Sequence, residues 1–328
     1  MWFSERAVIT RATLESLLSE RVLVLDGAIG TLLLQRGFAP PLDYLTRTRP
    51  DVVEGVHHAY LEAGCDIIRT HTFNSTALVL SDVERVGPAA YDLNVAAARL
   101  ARAACDTWSA RTPDQPRFVA GTIGPTNRSS SLTREVPGAL LRPITAGRLK
   151  EAYLEQARGL VDGGCDVLIV ETIFDLRNAG AAIEAIGELS TADGIRPRLW
   201  LSATVSGTRG EMLGGRTIAD FWAAVRPSSP WAVGLNCSEG ARLMRPQIET
   251  LAGLADCFVS AHPSAGLPDA AGDYPESPGG FSAALGDIAS QGLASIVGGC
   301  CGTTPSHIRA LAETVRPNPP EMGRQGIV

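Results

Sequence analysis

The sequence predicts an α/β fold, a single-domain (β/α)8 barrel of the TIM type. Eight short apolar runs rich in β-branched residues alternate with amphipathic stretches along a chain of 328 residues. This alternation over this length is typical of the barrel, whose usual size is about 250 residues before insertions. A doubly wound sheet is the competing fold, but the GxGxxG turn that usually follows its first strand is replaced here by DGAIGT.

The predicted strands are buried runs bounded by polar or glycine-containing segments. They cover residues 22–28, 65–73, 117–124, 165–173, 198–205, 231–238, 257–263 and 294–302. Two segments also resemble each other, YLEAGCDIIRTHTF and LVDGGCDVLIVETIF. Each has a helix end, a glycine, a Cys-Asp pair and a strand, as repeated units of a barrel would have.

Capping signals mark the helices between these strands. Helices are predicted to begin at Pro50, at Ala146, at Thr217 with Asp220 three residues on, at Ser277-Pro278 and at Thr304-Pro305. Helix ends are predicted at Gly64, Gly163, Gly164 and Gly292. No long linker divides the chain. We therefore expect an N-terminal helical extension over residues 1–20, one barrel over 21–316 and a frayed Pro-rich tail over 317–328.

Composition excludes several classes of protein. The chain is 45% hydrophobic and 20% charged, with a formal net charge of −6, which suits a large core and argues against disorder. No apolar run approaches the roughly 20 residues that span a bilayer, and no basic cluster suggests nucleic acid. The N-terminus carries Glu5 and Arg6 where a secretory signal needs an apolar block. We expect a cytoplasmic globular protein without a membrane or nucleic-acid partner.

The seven cysteines are the first indication of chemistry. An odd number in a reducing compartment argues against a disulfide framework and favours metal binding or catalysis. Four of them open predicted strands or lie in a helical pattern, and these we expect in the core: Cys65, Cys105, Cys165 and Cys257. The other three are Cys237, Cys300 and Cys301, near the ends of the sixth and eighth strands.

In a parallel barrel the carboxyl ends of the strands meet at one mouth, which is where function lies. The residues predicted there include Asp26, Gly27, Thr70, His71, Thr72, Asn74, Glu171, Thr172, Asn236, Cys237, His262, Ser264, Cys300 and Cys301. Because the sixth and eighth strands flank the seventh, the sulfurs of Cys237, Cys300 and Cys301 can meet across it. That arrangement predicts a metal site.

Three thiolates without a clear fourth protein ligand favour a catalytic zinc, since structural zinc sites close the tetrahedron with protein ligands. Gly299 and Gly302 beside the cysteine pair would let adjacent residues turn toward one ion. A set of three sulfurs favours another thiol as the fourth ligand. A metal-bound thiol ionises fully, whereas a free thiol with a pKa near 8.5 is only slightly ionised at neutral pH. The predicted chemistry is the generation of a thiolate nucleophile.

Each of these interpretations has an alternative. An adjacent cysteine pair can simply be two small buried hydrophobic residues, and only the third cysteine favours a metal. His71 is expected to make a supporting hydrogen bond and not to bind the metal. A carboxylate such as Glu171 at the end of an apolar strand needs a cationic partner, either a substrate ammonium or an internal arginine.

Several motifs, in order along the chain, resemble those of the homocysteine S-methyltransferase family. They are LDGAIGT, CDIIRTHTFNST, AGTIGPTN, VETIFD, GLNCSEG, AHPSAGLP and IVGGCCGTTPSHI. The likeness is greatest to the homocysteine-binding module of cobalamin-dependent methionine synthase and extends from about residue 20 to about residue 315. The family is a (β/α)8 barrel that uses zinc on three cysteines to activate homocysteine.

The resemblance implies roles for individual residues. Cys237, Cys300 and Cys301 would be the zinc ligands and so carry catalysis. Asp26, Gly27, Thr72, Glu171 and Asn236 would form the substrate site, with Glu171 binding the ammonium of homocysteine. The chain departs from the methionine synthase pattern at three positions, where Arg69, His71 and Ser264 replace Glu, Asn and Asn. These departures affect the surroundings of the metal and leave the three cysteines intact.

The resemblance implies attack of a zinc-bound homocysteine thiolate on an activated methyl group, which forms methionine. It favours methylcobalamin on a separate partner protein as the methyl donor, because 328 residues leave no room for the folate, cobalamin and activation modules. One alternative is a self-sufficient enzyme that uses S-methylmethionine, S-adenosylmethionine or betaine. Another is a non-catalytic zinc- or thiol-binding barrel subunit.

Overall fold

The computed structural model describes residues 14–82, 90–132, 141–189, 194, 196–206, 209–212 and 215–316. All eight predicted strands form. We number them β1 (Leu23–Val24), β2 (Ile67–Arg69), β3 (Phe118–Ile123), β4 (Val167–Ile173), β5 (Arg198–Ala203), β6 (Ala232–Cys237), β7 (Phe258–Pro263) and β8 (Ile296–Val297).

The strands form one parallel sheet that closes on itself. Their spatial order is β1-β8-β7-β6-β5-β4-β3-β2. Closure comes from a parallel bridge between Leu25 and Ile67, with a backbone hydrogen bond of 2.9 Å from the Asp26 amide to the Ile67 carbonyl. The (β/α)8 barrel predicted from the sequence is therefore confirmed, and the carboxyl ends of all eight strands share one mouth.

Helices surround this sheet. They are residues 14–20, Gly30–Gln35, Leu45–Thr48, Pro50–Ala63, Ala77–Leu80, Ala90–Arg111, Ala146–Asp162, Leu176–Gly187, Ile218–Val225, Ala241–Leu254, Pro278–Ser290 and Pro305–Val315. Two 3-10 turns are Leu42–Tyr44 and Arg226–Ser228, and a short parallel ladder joins Arg128–Ser129 to Arg142–Pro143.

The capping signals act as the sequence predicts. Pro50 is in the first turn of its helix, and that helix ends at Gly64 with φ of 103°. Thr217 and Asp220 form a capping box, and the Ser277 side chain accepts a hydrogen bond from the Gly280 amide. Each such cap stabilises a helix by about 1 kcal/mol.

Two hydrophobic layers hold the barrel. The outer layer lies between sheet and helices and includes Cys65, Cys105 and Cys257, with Cys165 packed against it, as predicted for these cysteines. The inner layer fills the interior of the barrel with side chains such as Trp200. Leu14 of helix 14–20 packs onto this inner layer. This helix therefore closes the amino-terminal end of the barrel, while residues 1–13 and 317–328 lie outside the described part of the chain.

The two similar segments make equivalent contacts. Asp66 before β2 accepts hydrogen bonds from the Val24 amide at 2.9 Å and from Arg21 at 2.8 Å. Asp166 before β4 accepts them from the Val119 amide at 2.7 Å and from Arg102 at 2.8 Å. Each aspartate thus ties its own strand to the neighbouring one at the end opposite the mouth. In the described ranges, no helix has the length and apolar character needed to cross a membrane.

Candidate metal and substrate site

Three sulfurs meet at the mouth of the barrel. Cys237 is the last residue of β6, and Cys300 and Cys301 lie in the turn after β8. Their Sγ atoms are all within 4.8 Å of one another, with 3.7 Å between Cys237 and Cys301 and 4.0 Å between Cys300 and Cys301. A tetrahedral zinc with bonds of about 2.3 Å would place its sulfurs about 3.8 Å apart. The three sulfurs therefore fit a tetrahedral metal with one position left open.

The backbone explains why these cysteines converge. Strand β7 lies between β6 and β8, and Cys237 is opposite Pro263 in the β6–β7 ladder. The Cys300 amide donates to the Pro263 carbonyl at 2.8 Å, which fixes the turn after β8 to the same strand end. Cys237 has φ of 62°, a conformation that costs about 1–3 kcal/mol in a non-glycine residue. The convergence across the seventh strand is as the sequence predicts.

Each sulfur has a separate hydrogen-bond partner outside the cysteine cluster. Ser264 Oγ donates to Cys237 Sγ at 3.6 Å, and Asn236 Nδ2 lies 4.0 Å from Cys300 Sγ. The Tyr274 hydroxyl is the partner of Cys301, and burial together with that thiol raises the pKa of Tyr274 to about 12. Tyr274 is not among the residues that the sequence predicts for the site. Its only signal in the sequence is a single aromatic residue in the loop after a predicted strand.

Crowding makes the three thiols resist ionisation. A hydrogen bond with Cys300 lowers the pKa of Cys237, but contact with Cys301 and burial outweigh this effect and raise that pKa to about 11. A hydrogen bond with Cys237 lowers the pKa of Cys301, but the neighbouring Cys300 outweighs this effect and raises that pKa to about 12. The pKa of Cys300 is raised by its hydrogen bond with Cys237. Three adjacent thiolates require a cation to balance them, which is what a metal at this position would supply.

A buried ion-pair network lies beside the cysteines. Arg69, at the end of β2, donates from Nε to Asp26 Oδ1 at 2.8 Å and from Nη1 to Glu171 Oε2 at 2.9 Å. Its Nη2 donates to the carbonyls of Gly27 at 3.0 Å and Gly299 at 2.6 Å. Arg69 therefore joins β1, β2, β4 and the turn that carries Cys300. Of the two partners considered for Glu171, the structure contains the internal arginine.

Both carboxylates remain ionised at neutral pH. Burial raises the pKa of Asp26 to about 6, against the opposing effect of Arg69. For Glu171, burial also opposes ionisation, but Arg69 and His262 lower its pKa to about 2. His262 Nε2 lies 3.4 Å from Glu171 Oε2, and burial lowers the pKa of this histidine, which keeps it neutral. Asp26, Arg69 and Glu171 together leave one excess negative charge below the mouth.

A bulge in β4 aims Glu171 at this network. The β4–β5 register shifts between Val170 and Ile173, and Thr172 has φ of 60°. Asn236 supports the bulge because its Oδ1 accepts from the Thr172 amide at 2.9 Å and its Nδ2 donates to Thr172 Oγ1 at 2.8 Å. Ser202 Oγ adds a hydrogen bond of 2.8 Å to the same Oδ1. Bulges of this kind re-aim side chains next to active sites.

The remaining predicted substrate residues are also buried at the mouth. Thr72 Oγ1 donates to the Thr122 carbonyl at 2.7 Å. The Thr70 Oγ1 atom lies 2.6 Å from Thr72 Oγ1. At Gly27, an added Cβ would lie 2.7 Å from Thr303 Oγ1 and 2.8 Å from the Tyr60 hydroxyl. The loop after β1 therefore has room for glycine alone at this position. His71 is buried, and its Nδ1 has no hydrogen-bond partner within the described ranges.

Comparison with known proteins gives one family. A family model described as homocysteine S-methyltransferase matches residues 23–315. The metallated form of the homocysteine methyltransferase MmuM from Escherichia coli is similar in structure, with a TM-score of 0.71 and 23% identity over 92% of this chain and 98% of that one. For the apo form the TM-score is 0.66, with 22% identity over 90% and 96% of the two chains. At these identities the two solved structures show a common fold.

Proposed function

This chain belongs to the homocysteine S-methyltransferase family, and we propose that it forms methionine with a zinc ion held by Cys237, Cys300 and Cys301. In the reaction, the homocysteine sulfur forms a bond to the methyl carbon of a donor while the bond from that carbon to the donor breaks. The thiol proton is released to solvent, and the bonding electron pair leaves with the demethylated donor. Membership of this family makes the protein a thiol S-methyltransferase.

The observation that carries the proposal is the cluster of three sulfurs within 4.8 Å of one another at the open end of the barrel. Its spacing matches a tetrahedral zinc, and a three-ligand set is typical of catalytic zinc sites. When bound, zinc would take the substrate sulfur in the open position and lower its pKa, so that it reacts as a thiolate. No separate general base is then required among the side chains at the mouth.

Glu171 is proposed to bind the ammonium of homocysteine. Its Oε2 contacts Arg69 and His262, which leaves Oε1 for the substrate. Because Arg69 and His262 keep this carboxylate ionised, it presents a full negative charge at neutral pH. The excess negative charge of the Asp26–Arg69–Glu171 network is balanced when a substrate ammonium binds. Arg69 therefore orients the Glu171 carboxylate and does not take the place of the substrate ammonium.

Asp26, Gly27, Thr72 and Asn236 are proposed to shape the rest of the substrate site. Asp26 and the Gly27 carbonyl are both hydrogen-bonded by Arg69, so they fix the guanidinium against which Glu171 is oriented. Asn236 holds the Glu171–Thr172 bulge and reaches Cys300, so it couples the substrate side of the pocket to the metal side. Thr72 follows β2, is fully buried and donates from Oγ1 to the Thr122 carbonyl at 2.7 Å, so it is held in place beside the ends of β2 and β3.

The motif resemblance supports methylcobalamin on a separate protein as the methyl donor. The test is to incubate the purified, zinc-loaded protein with homocysteine and each donor in turn: a methylcobalamin-loaded carrier protein, free methylcobalamin, S-methylmethionine, S-adenosylmethionine and betaine. Methionine formed with the methylcobalamin carrier alone is the expected result. Methionine formed with one of the small donors would replace the donor in this proposal. No methionine with any of them would favour a non-catalytic thiol-binding barrel.

A further inference from the structure

The three sulfurs of the cluster differ in where their hydrogen-bond donors come from. Asn236 belongs to β6 and Ser264 directly follows β7, so the partners of Cys300 and Cys237 are fixed by the barrel itself. Tyr274, the partner of Cys301, comes from the long loop between β7 and the helix Pro278–Ser290. A residue so far from a strand end must be held over the cluster by other contacts.

The Tyr274 ring lies directly against the turn that carries the cysteine pair. A Cβ added to Gly302 would overlap both the ring and the Cβ atom of Tyr274. Gly302 also has φ of +77°, a conformation that other residues rarely adopt. The glycine after Cys301 therefore serves two purposes: it turns the backbone and leaves space for the tyrosine.

The backbone of the loop is bound to the same turn. The Ala265 amide donates to the Cys301 carbonyl at 2.9 Å, and the Glu276 amide donates to the Ala265 carbonyl at 3.1 Å. Within the loop, Asp269 Oδ1 accepts from the Asp273 amide at 3.0 Å. His307 Nε2 lies 2.9 Å from the Glu276 carbonyl oxygen and adds a contact from the last helix. Tyr274 thus lies between two anchored residues of the loop, Ala265, which is bound to Cys301, and Glu276, which is bound to Ala265 and contacts His307.

We propose that Tyr274 is a positioning residue of the metal centre, whose hydroxyl donates to the Cys301 sulfur and so completes a set of one donor for each sulfur. This inference rests on the proposed function. Three thiolates and the thiolate of homocysteine carry two more negative charges than a zinc ion neutralises. A hydroxyl donor takes part of the charge of one thiolate, and removal of such outer partners typically weakens metal binding 10- to 100-fold.

The test compares Tyr274→Phe, which keeps the ring and loses the hydroxyl, with Tyr274→Ala, which loses both. Tyr91→Phe is the matched control, because the Tyr91 hydroxyl binds Asp162 at 2.8 Å on the exposed surface. Zinc-loaded proteins are mixed with a chromogenic chelator, and the cobalt-substituted proteins are examined for the sulfur-to-cobalt charge-transfer band. For Tyr274→Phe we expect about tenfold weaker zinc retention, a band moved to lower energy, and an unchanged unfolding midpoint of the metal-free form.

Tyr91→Phe is expected to match the wild type in all three measurements. If Tyr274→Phe also matches the wild type while Tyr274→Ala loses zinc, the ring merely covers Gly302 and the proposal is overturned. A wild-type protein that holds no zinc would contradict the proposed function itself. The two failures are therefore distinguished by the wild-type measurement.

Discussion

The Arg69 guanidinium lies 2.9 Å from the Glu171 carboxylate, across the barrel from β2 to β4. This contact determines the state of the carboxylate proposed to bind the substrate. Without a cation, a carboxylate as buried as Glu171 would take up a proton and lose its charge. With Arg69 beside it and His262 on the same oxygen, the pKa of Glu171 is lowered to about 2.

Glu171→Gln should raise the KM for homocysteine and leave the zinc content unchanged. The substitution keeps the shape of the side chain and removes the charge that attracts the ammonium. A hydrogen bond to a charged group is worth about 1.5–3 kcal/mol, so we expect KM to rise roughly tenfold to a hundredfold. Glu188→Gln is the control, since Glu188 forms an exposed pair with Lys150 at 2.6 Å. An unchanged KM in Glu171→Gln would place the ammonium elsewhere.

The lowered pKa of Glu171 should make the stability of the protein depend on pH. The pKa of Glu171 is lowered in the folded protein from 4.5 to about 2. Its contribution to the free energy of unfolding is therefore present above about pH 4.5 and lost as the pH falls toward about 2. Asp26 acts in the opposite direction, because its pKa is raised to about 6 and its contribution is lost as the pH rises through that value.

Urea unfolding of the wild type and of Glu171→Gln, at about pH 5 and about pH 3, isolates the effect of Glu171. The wild type should lose more stability between the two pH values than the variant. Equal losses would mean that Glu171 has the same pKa in the folded and unfolded states.

Asn236→Ala should destabilise the fold as well as the site. The variant loses two hydrogen bonds with Thr172 and one with Ser202, and it leaves the Thr172 amide without a partner next to a positive φ. A buried donor left unpaired costs about 1–3 kcal/mol, so we expect a loss of about 2–3 kcal/mol in the free energy of unfolding. Chemical unfolding measures it, with Thr48→Ala as an exposed control. A loss below about 0.5 kcal/mol would show that the bulge holds without Asn236.

Gly27→Ala tests the crowded loop after β1. Because the new Cβ would lie 2.7 Å from Thr303 Oγ1, either the loop or Thr303 must move. Overpacking of this kind costs about 1–3 kcal/mol and should also weaken homocysteine binding. Gly180→Ala is the matched control, since Gly180 is in the helix Leu176–Gly187 with nothing within 4 Å of the new Cβ, and alanine there should stabilise by up to about 1 kcal/mol. Thermal unfolding of the two variants should shift in opposite directions.

Much of the fold follows from local sequence signals. The β-branched runs determine the strands, and Pro50, Thr217 and Ser277 mark helix starts through contacts within four residues. The meeting of Cys237 with the Cys300–Cys301 pair could also be predicted, since the order of parallel strands around a barrel fixes which strand ends are neighbours.

The partners of the site residues could not be predicted in the same way. Arg69 reaches Glu171 over a separation of 102 residues, and no sequence spacing specifies which carboxylate a long side chain in the barrel will choose. The Thr172 bulge depends on Asn236 from another strand. Tyr274 depends on the return path of a long loop, which local propensity does not determine.

Methyl transfer by this protein is proposed to require zinc held by Cys237, Cys300 and Cys301. The direct measurement is a zinc titration of the metal-free protein, in which the rate of methionine formation from homocysteine and its methyl donor is followed against added zinc. We expect no turnover without zinc, a linear rise to a plateau at one equivalent, and neither zinc binding nor turnover in Cys300→Ser. Full turnover by the metal-free protein, or by Cys300→Ser, would show that methyl transfer does not depend on zinc held by these cysteines.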